Sequence, residues 1–145
     1  IIEKYKSNII VKIISSSKKE EAFKNSFAAI AVSGTITLEL ALNKVPFFTV
    51  YKLNFLSYYF LKKIVYAKYI TLVNIIFDKS IVPELIQSEC TKDNIVNNLD
   101  ALLMNKKNYR QQLKEFTKLE TILRNKRNIP SDLASNLIKK SLRIK

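Results

Sequence analysis

Apolar positions along this chain change their rhythm about two-thirds of the way through. The first part carries short, β-branched or aromatic runs broken by turn residues. The last part carries apolar residues spaced three and four apart, with Lys and Arg between them. Asn8-Ile9-Ile10-Val11-Lys12-Ile13-Ile14 has strand length and ends at Ser15-Ser16-Ser17. Lys18 to Asn25 reads as a short helix with Ser17 as its cap and Glu20-Glu21 in its first turn. Phe27 to Val32 is a second apolar run, ended by Ser33-Gly34-Thr35. Thr37 to Asn43 reads as helix, 46–51 as a third strand opened by Pro46, 56–67 as helix and 69–73 as a fourth strand.

Thr91 then caps a helix running to about Met104, with Ile95, Val96, Leu99, Leu102 and Leu103 on one face. Tyr109, Leu113, Phe116, Leu119 and Ile122 make the next amphipathic stripe. Pro130-Ser131 stops it and starts a last element carried by Leu133, Leu137, Ile138 and Leu142. Buried runs alternating with helices imply a parallel sheet covered on both faces. The expected fold is α/β: a Rossmann-like sheet over residues 1–90 followed by a helical tail over 91–145. The alternation starts abruptly at residue 1, so the chain is expected to be one incomplete domain that lacks its own beginning.

Composition narrows the chemistry. The chain has 145 residues and no His, which excludes a Ser-His-Asp triad, a Cys-His dyad and a His-ligated zinc within it. Its single Cys, Cys90, forms no internal disulfide and suits a reducing compartment. It opens on Ile1 with no charged-then-apolar leader, so no secretory signal is expected. No uncharged run is long and apolar enough to cross a bilayer. No metal and no cofactor is called for.

The formal charge is +13, and it is uneven. Residues 1–100 hold 13 basic and 9 acidic side chains, whereas 101–145 hold 12 and 3. Such a basic tail fits a nucleic acid, an anionic membrane surface, or a merely solvated helix face. Between Phe47 and Phe77, rings including Phe55, Tyr58, Tyr59, Phe60, Tyr66 and Tyr69 alternate with Lys62, Lys63 and Lys68. That mixture suits a membrane–water interface, and it equally suits a ring-rich core.

Candidate chemistry concentrates at the one glycine, Gly34. It lies at a strand-to-helix turn, the place where open α/β sheets bind ligands. Glycine lets backbone N–H groups approach an oxyanion, and a following helix directs its positive end there. Ser33, Thr35 and Thr37 supply hydroxyls, and Glu39 falls one turn on, where a carboxylate can accept from a sugar's paired hydroxyls. The same residues also suit a plain turn with an ordinary helix cap. A phosphate loop of the G-x-x-x-x-G-K type is absent. A second cluster follows the expected fourth strand. Asn74 is placed as a ligand contact or a turn residue. Glu84, after Pro83, is placed as a first-turn helix carboxylate, with Gln87 one turn on.

In order and spacing, Ser33-Gly34-Thr35-Ile36-Thr37-Leu38-Glu39, Pro46, Tyr51-Lys52, 69–76 and Val82-Pro83-Glu84-Leu85-Ile86-Gln87 resemble lipid-A-disaccharide synthases, from about Ile9 to Ile138. The chain departs from that pattern at Val73, where Pro is usual, and at Asp78-Lys79, where a Gly-containing turn is common. The resemblance implies the nucleotide-binding C-terminal half of a glycosyltransferase-B fold. It implies transfer of diacylglucosamine from UDP to a diacylglucosamine 1-phosphate, forming the lipid A disaccharide.

In that reading Ser33, Gly34, Thr35 and Thr37 face the donor's diphosphate and Glu39 the ribose, while Asn74, Glu84 and Gln87 line the donor side of the cleft. The catalytic carboxylate lies N-terminal to this chain, so no catalytic residue is assigned in it, and the chain alone is expected to be inactive. The expected partners are the UDP-diacylglucosamine donor, the missing or separately encoded N-terminal half and an anionic membrane surface, rather than nucleic acid. The expected place is cytoplasmic, peripheral to the inner face of the bacterial inner membrane.

Overall fold

The computed structural model describes residues 10–32, 34–54, 68–123, 135 and 138–140. A 3-10 turn, Ser16–Lys18, leads into α1 (Lys19–Lys24). Then come β1 (Ala29–Ala31), α2 (Ile36–Leu42), β2 (Phe47–Tyr51), α3 (Leu72–Phe77) and β3 (Glu84–Ile86). A 3-10 turn (Gln87–Glu89), α4 (Lys92–Met104) and α5 (Lys106–Leu123) complete the order.

The sheet has three strands in the order β1-β2-β3, all parallel. Ala29 lies opposite Phe47, and Thr49 lies opposite Glu84. Adjacent residues of a strand point to opposite faces, and Phe47-Phe48 shows the consequence. Phe47 enters a core with Leu40, Ala41, Val45, Val73, Val82, Phe116 and Leu119, beneath α2, α3 and α5. Phe48 enters a second core with Leu85 and Leu102, beneath α4. Both faces of β2 are thus covered, whereas on β1 the Phe48 side stays open, with Ile30 46% exposed. The ring of Phe47 stacks on Phe116 at 5.7 Å between centroids.

Gln112 ties α5 to the sheet. Its side-chain amide donates to the Phe47 carbonyl at 3.1 Å and accepts from the Phe47 N–H at 3.0 Å. The strand's first residue thereby gains the pair of hydrogen bonds that a neighbouring strand would otherwise supply.

Four sequence expectations need correction. The described part of 8–14, Ile10 to Ile14, is irregular and exposed, with Ile13 84% accessible. Strand propensity does not make a strand without a partner, and these residues pair with none among the described residues. Ser17 does not cap α1; its hydroxyl pairs with that of Ser15 at 2.8 Å, and Lys18 holds the cap position. The expected fourth strand, 69–73, is coil over 69–71 and the first two residues of α3. The segment expected to begin a helix at Glu84 is β3.

Thr91 does cap α4, its hydroxyl accepting from the Asn94 N–H at 3.2 Å. On α5, Phe116 and Leu119 are fully buried and Tyr109 and Leu113 half-buried, but Ile122 faces solvent. Expectations for 8–9, 56–67 and most of 124–145 lie outside the described residues.

Candidate functional site

Because all three strands are parallel, their carboxyl ends share one edge of the sheet. β1 leaves it into the Gly34 turn, β2 into Lys52, Leu53 and Asn54, and β3 into Gln87. With strands roughly 4.8 Å apart, the first and last of these exits flank the middle one across about 10 Å.

Gly34 has φ of +139°, a conformation L side chains rarely adopt. A substituent there would meet no atom within 4 Å, so the backbone angle rather than crowding demands glycine. The turn is closed from beneath by the first residues of α2. The Thr37 hydroxyl donates to the Gly34 carbonyl at 2.7 Å, and the Thr37 N–H donates to the same oxygen at 3.1 Å. Leu38 and Glu39 donate their N–H groups to the Thr35 carbonyl at 3.0 and 3.2 Å. Thr37 itself is fully buried, whereas Gly34 and Thr35 are exposed. Ser33 lies outside the described residues. Thr37 therefore shapes the turn, and Thr35 presents its hydroxyl to solvent.

Glu39 points back toward α1, where its Oε2 accepts from Lys19 Nζ at 2.7 Å. Both side chains are partly open to water, 37% for Glu39 and 45% for Lys19. Residue type and spacing along the chain gave no sign of this partner, which lies on a different helix.

Asn74 and Glu84 are brought together at the start of α3. The Asn74 amide donates to Glu84 Oε1 at 2.9 Å and to the Val82 carbonyl at 2.7 Å. Its Oδ1 accepts from the Ile81 and Val82 N–H groups, both at 2.9 Å. This side chain is fully buried and its donors and acceptor are all engaged within the chain. Glu84 also accepts from the N–H groups of Ile70, at 3.1 and 3.2 Å, and Thr71, at 2.7 Å. A carboxylate thus anchors the segment entering α3 from the neighbouring strand, where a negative charge meets the helix's positive end. Gln87 makes the equivalent clasp on the other exit, accepting from the Leu53 N–H at 2.6 Å and donating to its carbonyl at 3.2 Å.

At the close of α3, Asp78 takes the left-handed conformation, φ 44° and ψ 40°. It supplies without glycine the geometry a Gly-containing turn would have, which Asp tolerates better than most residues. Val73 is buried in the core. The two departures from the family pattern are therefore absorbed locally, one by packing and one by an Asp in a turn.

A surface groove of about 580 Å³ runs along residues 12–26, lined by Lys12, Ser15, Lys18, Glu21 and Asn25 among others. It includes none of the candidate residues. Among the described residues there is no cluster of His, Cys, Asp and Glu able to hold a metal ion, and no helix long and apolar enough to cross a membrane.

The family model for lipid-A-disaccharide synthetase matches residues 1–138. The chain belongs to that family. Similar members include the lipid-A-disaccharide synthases of Rickettsia canadensis, 37% identical over 140 residues, and Bradyrhizobium diazoefficiens, 30% identical over 131. These alignments cover 96% and 90% of this chain but only 36% and 33% of the relatives. The chain therefore spans about a third of the length of the synthases it matches. Its α/β architecture, with a parallel sheet and a glycine turn at the carboxyl edge, is consistent with the C-terminal half of a glycosyltransferase-B fold.

Proposed function

We propose that this chain is the donor-binding part of a glycosyltransferase that moves diacylglucosamine from UDP to the 6-hydroxyl of a diacylglucosamine 1-phosphate. The observation that carries the reading is the exposed Gly34-Thr35 turn at the sheet's carboxyl edge, with Glu39 one turn beyond it, in a chain of the lipid-A-disaccharide synthetase family. In the proposal, residues 1–145 form one incomplete UDP-sugar-binding domain, with the sheet in 1–90 and helices in 91–145.

Ser33, Gly34 and Thr35 face the diphosphate, Thr37 holds the turn beneath it, and Glu39 accepts from the two ribose hydroxyls. Asn74, Glu84 and Gln87 hold the segments that wall the donor side, acting through the backbone they clasp. As the glycosidic bond to the diphosphate breaks, negative charge grows on the leaving oxygen. Donors fixed beside that oxygen before the reaction stabilise the charge without having to reorganise. The base that takes the acceptor's proton belongs to the N-terminal part of the full-length enzyme. Membrane contact through the rings and lysines of 55–69, at the cytoplasmic face of the inner membrane, would bring the site to its acylated substrates.

A nucleic-acid module built on the Lys-rich α5 has less support. Tyr109 stacks on Phe27 at 4.7 Å and Phe116 is fully buried, so neither ring is presented to a base. Calorimetric titration tests the donor reading. The chain should bind UDP weakly, and Glu39→Ala should weaken binding by about 1.5–3 kcal/mol, the range for hydrogen bonds to a charged group. Disaccharide should form only when the N-terminal half is added. Equal UDP affinity in both variants would refute the role of Glu39, and disaccharide from this chain alone would refute the placement of the base.

A further inference from the structure

We infer that Lys19 is a binding residue for the phosphates of a nucleoside diphosphate, moving to them from Glu39 as the ligand binds. The inference rests on the nucleotide reading of the Gly34 turn and adds to it a residue from a different helix. Lys19 opens α1, where two acids, Glu20 and Glu21, complement the helix's positive end and a lysine does not. Its ammonium is instead held across the interhelix gap, 2.7 Å from Glu39 Oε2.

That carboxylate is the group proposed to chelate the ribose diol, and one of its two oxygens already has a cation on it. A diol that takes both oxygens competes with the ammonium for Oε2. The displacement is easy, because an ion pair this open to water is only weakly held. Charge supplies the destination. A nucleoside diphosphate brings further negative charge next to Glu39, and two anions held together in one site repel each other unless a cation joins them. Lys19 is that cation. Its flexible four-carbon stem allows the ammonium to leave the carboxylate and reach a phosphate while the backbone of α1 stays in place.

The test compares UDP with uridine, which shares the ribose and base but has no phosphate. Both are titrated by NMR against the wild-type chain, Lys19→Gln and Lys19→Arg, with folding checked by circular dichroism. Lys19→Gln should weaken UDP about tenfold, as loss of a charged hydrogen bond does. It should leave uridine within about twofold or improve it, since Glu39 is freed. Lys19→Arg, which keeps the charge, should retain UDP affinity within about threefold. The UDP affinity of Lys19→Gln should also depend less steeply on salt.

Unchanged UDP affinity in Lys19→Gln would overturn the inference while leaving the nucleotide reading intact. So would an equal loss for UDP and uridine, which would mean that Lys19 acts only by orienting Glu39. Failure of the arginine variant to restore UDP binding would likewise count against a charge role. A wild-type chain that binds no UDP at millimolar concentration would overturn the nucleotide reading itself, and this inference with it.

Discussion

Replacing Asn74 by Ala should cost far more than any exposed substitution. The side chain is fully buried and makes four hydrogen bonds, to the Val82 carbonyl, the Ile81 and Val82 N–H groups and the Glu84 carboxylate. Removing it leaves two backbone donors and one backbone acceptor without those partners. Each buried polar group left unpaired costs about 1–3 kcal/mol. Water entering the vacated volume recovers part of that, so the expected loss is about 3–5 kcal/mol. Against a total stability of about 5–15 kcal/mol, such a loss is large enough to unfold a sizeable fraction of the chain.

Asn74→Asp separates shape from chemistry. It keeps the acceptor for the two N–H groups, but it loses the donor to Val82 and sets a second carboxylate against Glu84, 2.9 Å away in the wild type. Its cost should therefore grow as pH rises and the introduced carboxyl ionises beside Glu84. Urea unfolding followed by circular dichroism measures both variants, with the exposed Asn97→Ala as a control expected within about 0.5 kcal/mol of wild type. An Asn74→Ala loss below about 1 kcal/mol would refute the view that this side chain holds the segment between α3 and β3.

Two further outcomes follow from charge. Glu115 is held below its ordinary carboxylate value of 4.5, first by the hydrogen bond from Lys118 at 2.8 Å, then by the charges of Lys118, Lys79 and Lys114, with burial opposing them. Its folded pKa is the lower one, so its stabilisation is complete above the unfolded value and is lost as pH falls through the folded value. The wild type should lose stability below about pH 4.5 more steeply than Glu115→Gln, and parallel acid-unfolding curves would contradict this. If the rings and lysines of 55–69 meet a membrane, the chain should co-sediment with anionic vesicles and release as salt is raised. Sedimentation that ignores both lipid charge and salt would remove that part of the proposal.

Much of the architecture could be read along the chain because its signals are local. The apolar runs 27–32 and 46–51 contain β1 and β2. Gly34 marks the turn whose positive φ it alone adopts at no steric cost, and Thr91 caps α4 with its own hydroxyl. The order of the motifs around these points was enough to indicate the family. Where an apolar run was short, periodicity could not decide. Residues 69–73 have the composition of a strand but lead into a helix, and 84–86 form a strand where Pro83 suggested a helix start. A few apolar residues satisfy either geometry, and the choice falls to whichever partner lies beside them.

What the tertiary structure decided is the use of the polar side chains. Asn74, Glu84 and Gln87 stand in the sequence as candidate ligand contacts, and folding sets their donors and acceptors against backbone up to 34 residues away. Gln112, within an amphipathic stripe, proves to complete the backbone pairing of Phe47 from 65 residues away. Lys19 meets Glu39 only because folding brings the start of α1 within side-chain reach of α2. Hydrophobic spacing tells which face of an element is buried. It says nothing about which distant atom a buried amide or an exposed carboxylate will meet, because that depends on ångström-scale placement that only the packed chain sets.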